Sequence, residues 1–257
     1  MKPRVEIHIV SFRQDLEWCR YAIRSVRKYA SGFGGVTLVV PRADAAMFEG
    51  MADRLVTFNQ RRWKGFLHHM IMVHRADEAC PDADFVLHMD SDCLFVEPVT
   101  PEDYVRDGKA VMMRERFELI RTAYTGRFRS GAARFRWKQV AEKALGFAVD
   151  YETMVRHPSV HPRGLYSEVR RHVERTHGVP FDEYVFGCGS RNRYTEFPVL
   201  GAYALKVHPE RYEWIDARSP HEDFDMEKAT GVREKMRQFH SPLGVERHRA
   251  ELEGILA

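Results

Sequence analysis

Apolar positions in the first hundred residues alternate between two periods. Val5–Phe12 (VEIHIVSF) is short, apolar and β-branched, the pattern of a strand. From Asp15 to Tyr29 the apolar positions Leu16, Cys19, Ala22, Ile23 and Val26 recur at helical spacing. Gly32–Gly35 interrupt that helix, and Val36–Val40 (VTLVV) reads as a second strand closed by Pro41. Ala43–Met51 predicts a short helix and Asp53–Phe58 (DRLVTF) a third strand. A helix from about Trp63 to Ala79, with Phe66, Met70 and Val73 as a core stripe, then leads to the strand Phe85–Met89. Strands alternating with helices predict an α/β, Rossmann-like architecture, a mostly parallel central sheet with helices on both faces.

Beyond residue 100 the pattern is more polar and less regular. Ala110–Arg114 is expected to add a strand to the same sheet. Pro162–His177 is helical, with Leu165, Val169 and Val173 on one face and Gly178 as its stop. A further helix is expected from Glu196, and a final strand within EKMRQF, residues 234–239. The chain reads as one domain over 1–257, with 1–100 as its first half and 101–257 as its second.

Composition narrows the class. With 44% hydrophobic and 12% aromatic residues over 257 positions, the chain is long and apolar enough to bury a substantial core. The net charge of +3, a small difference between 40 bases and 37 acids, argues against a dedicated nucleic-acid binder. No apolar run approaches the ~20 residues of a membrane span, and MKPRVEIHIVSFRQ has no signal-peptide core. Cys19, Cys80, Cys93 and Cys188 are scattered without metal spacing and read as reduced thiols, so a cytoplasmic protein is expected. One segment stands out: residues 114–143 hold nine Arg or Lys against three Glu, interleaved with aromatics. It is either an amphipathic helix with a solvated basic face or a surface for an anionic acceptor or the inner face of a membrane.

The chemistry concentrates at FVLHMDSDCLFVEP, Phe85–Pro98. Asp90 and Asp92 follow an apolar strand, and carboxylates at such a place are costly unless paired, hydrogen-bonded or bound to a cation. Ligands of doubly wound sheets bind beyond the carboxyl ends of the strands. The pair therefore either holds a metal or caps a turn.

An apolar strand ending in Asp-x-Asp in this position resembles the DxD motif of GT-A glycosyltransferases. That resemblance implies a GT-A-like fold, a Mn2+ or Mg2+ ion held by Asp90 and Asp92, and a nucleotide-diphospho-sugar donor, UDP- or GDP-linked, bridged by the ion through its phosphates. Ser91 lies between the pair. Ser11, Arg13 and Asp15 match the first loop that meets the nucleoside, although Asp15 is equally placed to cap its helix. RRWKGFLHHMIMVHRA, Arg61–Ala76, resembles the "GWxxQQxxK"-type helix of a bacterial group, with Trp63, His68 and His69 near its polar positions and its Gln pair and Lys replaced.

TEFPVLGAY, Thr195–Tyr203, is similar to the "SEFxLYGxY" signature of the same group. It implies that Glu196 takes the acceptor proton; a capping role behind Thr195 is the structural alternative. Asp182 and Glu183 are reserve bases. Met154–Val160 resembles an acceptor-side loop, with His157 and His161 as acceptor contacts. A late histidine often completes the metal shell in these enzymes, which points to His240, with Lys235 and Arg237 toward the diphosphate and His221, Glu222 and Asp223 as the rival cluster. The implied partners are a donor nucleotide-sugar and a glycan or glycolipid acceptor in bacterial polysaccharide or glycoconjugate synthesis. A catalytically silent sugar-nucleotide binder and a metal-dependent phosphohydrolase using Asp90 and Asp92 are the other readings of the same residues.

Overall fold

A computed structural model describes residues 2–61, 65–118, 129–154, 158–189, 194–216, 235–239 and 244–257. The chain opens with β1 (Val5–Val10), all six residues of which are buried. Helix α1 (Leu16–Tyr29) follows, then β2 (Val36–Pro41), β3 (Arg54–Phe58), α2 (Gly65–His74), a short α3 (Ala76–Ala79) and β4 (Phe85–His88). Next come β5 (Cys93–Phe95), β6 (Val105–Arg106), β7 (Lys109–Arg116), α4 (Arg129–Leu145), β8 (Tyr151–Glu152) and β9 (Ser159–Pro162). The remainder comprises α5 (Gly164–His177), α6 (Phe181–Gly187), α7 (Glu196–Val207), β10 (Tyr212–Asp216), β11 (Met236–Gln238) and α8 (Arg249–Leu256).

The main sheet has the order β3-β2-β1-β4-β9. Its first four strands run parallel, and β9 closes the edge antiparallel to β4. The class is therefore α/β with a mostly parallel, Rossmann-like central sheet surrounded by helices. A central strand covered on both faces favours apolar side chains at successive positions, as in β2 (VTLVVP), while β1 buries Glu6 and His8 among its four apolar residues. Helix α1 buries Trp18, Cys19, Ala22, Ile23 and Val26, a stripe at helical spacing. The strand order reverses direction between β1 and β4, and a crevice at the carboxyl ends of those two strands is where such sheets take ligands. One contiguous hydrophobic cluster runs from Val5 on β1 through Phe197 and Val199 on α7 to Tyr212 on β10.

Four expectations are corrected. The strand at 110–114 does not join the first sheet: β7 pairs parallel with β10 and antiparallel with β6 and β8 in a second sheet. After β4 the chain turns at Asp90–Asp92 into β5, which leaves the main sheet and pairs antiparallel with β11. The helix expected over 43–51 is instead a single 3-10 stretch, Arg42–Met47. The helix over 63–79 is described from Gly65 and breaks at Arg75, whose backbone leaves helical geometry at φ −105°, ψ 19°. Its stripe is also incomplete: Met70 and Val73 are buried, but Phe66 is 45% exposed.

Residues 119–128 of the basic segment, with Tyr124 and Phe128, lie outside the described residues. Its helical end, α4, buries Val140, Ala141, Ala144 and Leu145, while Arg136 is exposed, the arrangement of an amphipathic helix with a solvated face. Among the described residues no helix is long and apolar enough to cross a membrane.

Candidate active site

Four segments meet at the carboxyl end of the main sheet. Strand β1 delivers Ser11–Asp15, β4 delivers Asp90–Asp92, α2 carries His69 and α7 begins at Glu196. The carboxylate pair occupies a tight turn in which the Cys93 amide donates to the Asp90 carbonyl at 3.0 Å. This turn swings Asp90 outward, where it is partly exposed, and leaves Asp92 8% exposed.

The site is organised around His69. Its Nε2 lies 3.7 Å from Asp90 Oδ1 and 3.5 Å from Glu196 Oε1. Helix α2 packs against α7, so a residue on the inner face of one reaches the first turn of the other. Glu196 is 6% exposed and stands in the first turn of α7, where the helix dipole favours a carboxylate. Burial alone pushes the His69 imidazolium down; the Glu196 hydrogen bond, then the charges of Glu196, Asp90 and Asp15, outweigh it and raise the ring to about 9. His69 is thus an imidazolium held between two acids.

Each of the other expected residues has a definite place. Asp15 occupies the N-cap position of α1 but makes no side-chain cap hydrogen bond there, and its charge reaches His69. Thr195 likewise sits at the N-cap of α7 without a side-chain cap, so capping does not account for the Thr195–Glu196 pair. Ser91 is half-buried in the carboxylate turn. Arg13 is turned toward the loop after β2, where its guanidinium meets Asp44 at 3.0 Å.

Several assignments are corrected. Ser11 is wholly buried beside the Cys19 thiol because α1 lies over it, so its side chain meets no nucleoside. His68 is buried too, stacked on Phe58 and accepting from the Arg61 amide at 2.7 Å. His161 is inside β9 with Nδ1 3.0 Å from the Tyr212 hydroxyl, a core histidine and not an acceptor contact. Lys235 pairs with Asp103 at 2.8 Å and Arg237 with Glu251, so both cations already have carboxylate partners. Asp182 and Glu183 pair with Arg75 and Arg61. Asp182 and both arginines line a cavity of about 410 Å3 on the α2 flank that carries His68 and Ile71, not on that of His69. Trp63, His157, His221, Glu222, Asp223 and His240 lie outside the described residues.

The donor set fits a hard divalent cation only in part. Ligand atoms of Asp90, Asp92 and Cys93 lie within 4.8 Å of one another, and no second such group occurs among the described residues. Carboxylate oxygens suit Mn2+ and Mg2+. The thiol does not, since burial, followed by the nearby Asp90 and Asp92 charges, pushes Cys93 well above its ordinary range and keeps it protonated. Asp90 and Asp92 are the ligands that fit.

Sequence reasoning missed two features. Behind β4, His8 and His88 face one another with their Nδ1 atoms 3.1 Å apart, and His88 Nε2 meets the Tyr166 hydroxyl at 2.6 Å. A histidine inside an otherwise apolar strand was the available signal. Gln238 on β11 donates to Asp92 Oδ1 at 3.4 Å, and nothing local in the sequence pointed to it.

No protein-family model matches this sequence, and no curated protein matches it.

Proposed function

We propose that this chain is a metal-dependent glycosyltransferase of the GT-A type, moving a sugar from a nucleotide-diphospho-sugar to an acceptor hydroxyl. One observation carries the reading. Asp90, from the strand-end Asp-Ser-Asp, and Glu196, from the Thr-Glu-Phe segment of the other half, converge on a single nitrogen of His69 at the switch point of the sheet. The two motifs that resemble this family independently therefore share one site.

In this reading Asp90 and Asp92 hold Mn2+ or Mg2+, whose chemistry there is to offset negative charge on a departing nucleoside diphosphate. Glu196 accepts the proton of the acceptor hydroxyl as its oxygen attacks the anomeric carbon. The His69 imidazolium fixes the carboxylates of Asp90 and Glu196 relative to each other, which sets the spacing between the donor side and the base. The donor is UDP- or GDP-linked and the acceptor a glycan or glycolipid.

The test is thermal unfolding against UDP, GDP, CDP and dTDP with and without Mn2+. A ligand that binds only the native state raises its melting temperature, by the equivalent of about 2.7 kcal/mol at a hundredfold excess over Kd. The expected result is stabilisation by one diphosphate, dependent on Mn2+ and lost in Asp92→Ala. Release of inorganic phosphate without nucleoside diphosphate would instead identify a phosphohydrolase. Binding without transfer or donor hydrolysis would identify a silent binder.

A further inference from the structure

Asp92 is held from an unexpected direction. Its main-chain carbonyl accepts from the Phe239 amide at 2.9 Å, and its Oδ1 accepts from Gln238 Nε2. Gln238 ends β11 and Phe239 follows it; among the described residues β11 pairs with β5 alone, in the register Gln238↔Cys93 and Met236↔Phe95. A two-stranded ribbon is marginal by itself. Here it is held at three places. Lys235 reaches Asp103 at 2.8 Å. The Phe239 ring packs between Trp18 of α1 and His248, with centroids 5.9 and 5.5 Å away. Helix α8 then docks on α1, where the Tyr21 hydroxyl donates to Glu253 at 2.6 Å and Arg24 pairs with the same carboxylate.

We propose that Gln238 is a positioning residue for the metal site, and that the anchoring of residues 235–239 and 244–257 on α1 sets the orientation of Asp92. The inference rests on the reading of Asp90 and Asp92 as cation ligands. The physical argument is one of restraint. A carboxylate in a turn has two soft torsions, and the Gln238 amide, joined on the same oxygen by the Cys93 thiol at 3.8 Å, restrains its rotamer. Groups that orient a ligating carboxylate in this way typically change metal affinity by 10–100-fold when removed. At 3.4 Å the bond is long, which places the expected effect at the lower end. Met is as long as Gln and carries no donor, so Gln238→Met removes the bond and keeps the packing.

The experiment is a Mn2+ titration followed by electron paramagnetic resonance on the full chain, with the melting temperature of the metal-free protein measured alongside. The expected result is Mn2+ affinity lowered about tenfold in Gln238→Met, with the metal-free melting temperature within about 2 °C of the parent. Glu253→Gln, at the exposed far end of the anchor, is expected to lower Mn2+ affinity severalfold, and it carries the test should Gln238→Met fail to fold. Parent protein that binds Mn2+ alongside a Gln238→Met variant, or a Glu253→Gln variant if that one must serve, with unchanged affinity overturns the positioning role and leaves the site reading intact. Parent protein that takes up no Mn2+ overturns both.

Discussion

His69 and Glu196 approach to 3.5 Å although they lie on helices from opposite halves of the chain. The contact brings a cation and an acid together in a largely buried crevice, where their interaction is stronger than it would be in water. It also ties the first turn of α7 to the face of α2 that looks over the Asp90 turn.

Glu196→Gln separates binding from chemistry. The amide keeps the shape of the side chain and cannot take a proton. Turnover is expected to fall by about 10²–10⁴-fold, the range for loss of a general base, while the melting shift with metal and diphosphate persists. A variant that transfers sugar at the parent rate removes Glu196 from the mechanism.

The His69 ring gives a direct spectroscopic readout. Its folded pKa, raised to about 9, exceeds the ordinary 6.5. Its contribution to stability is therefore complete below about pH 6.5 and is lost as pH rises through about 9. In the metal-free protein the imidazole carbon resonances of His69 should titrate near 9, and Glu196→Gln should bring that midpoint down. A midpoint at 6.5 in the parent contradicts the clamp.

Acid acts through other histidines. Burial, with a smaller push from His69, lowers His8 to about 3, and burial lowers His161 to about 3. Both are neutral when folded and bind protons when unfolded, so their contribution to stability is complete above pH 6.5 and drains away as pH falls toward 3. Each contributes a slope of about 1.4 kcal/mol per pH unit within that window. Urea unfolding at a series of pH values should show a shallower slope in His161→Phe, and an unaltered slope would discount the buried histidine.

Gly201 of α7 tests the contact between that helix and the β8 end. A Cβ at this position would overlap the Thr153 hydroxyl and its Cβ. Gly201→Ala is expected to cost about 1–3 kcal/mol by overpacking. Adding Thr153→Gly, which removes the overlapping Cβ as well as the hydroxyl, should recover part of that cost, a coupling measured by a double-mutant cycle in denaturant. Absence of recovery would mean that the two side chains do not share the space.

Much of the main sheet was legible because its strands carry their own signal. β2 and the start of β4 read as short apolar, β-branched runs and β1 does so apart from its buried Glu6 and His8, while α1 announces itself by one stripe. The Asp90–Asp92 turn was legible for a related reason, since carboxylates beside such a run demand a partner. Pairings between distant segments were not. The neighbour of β7 is Tyr212–Asp216, roughly a hundred residues later, and no local pattern distinguishes that partner from β4. Ser11 and His161 were misjudged because polarity suggests exposure, whereas α1 covers the first and Tyr212 satisfies the second. Gln238 was invisible because its role depends wholly on where the last strand returns.

The tight seat of α7 against Thr153 also bears on ancestry. A position that admits hydrogen and nothing larger cannot drift, however far the surrounding surface changes. Chains descended from the same ancestor and built this way should keep glycine at that helix position opposite a small hydroxyl residue, five places after the acid of the crevice. Such a pairing offers a fingerprint for recognising distant kin whose overall similarity has faded.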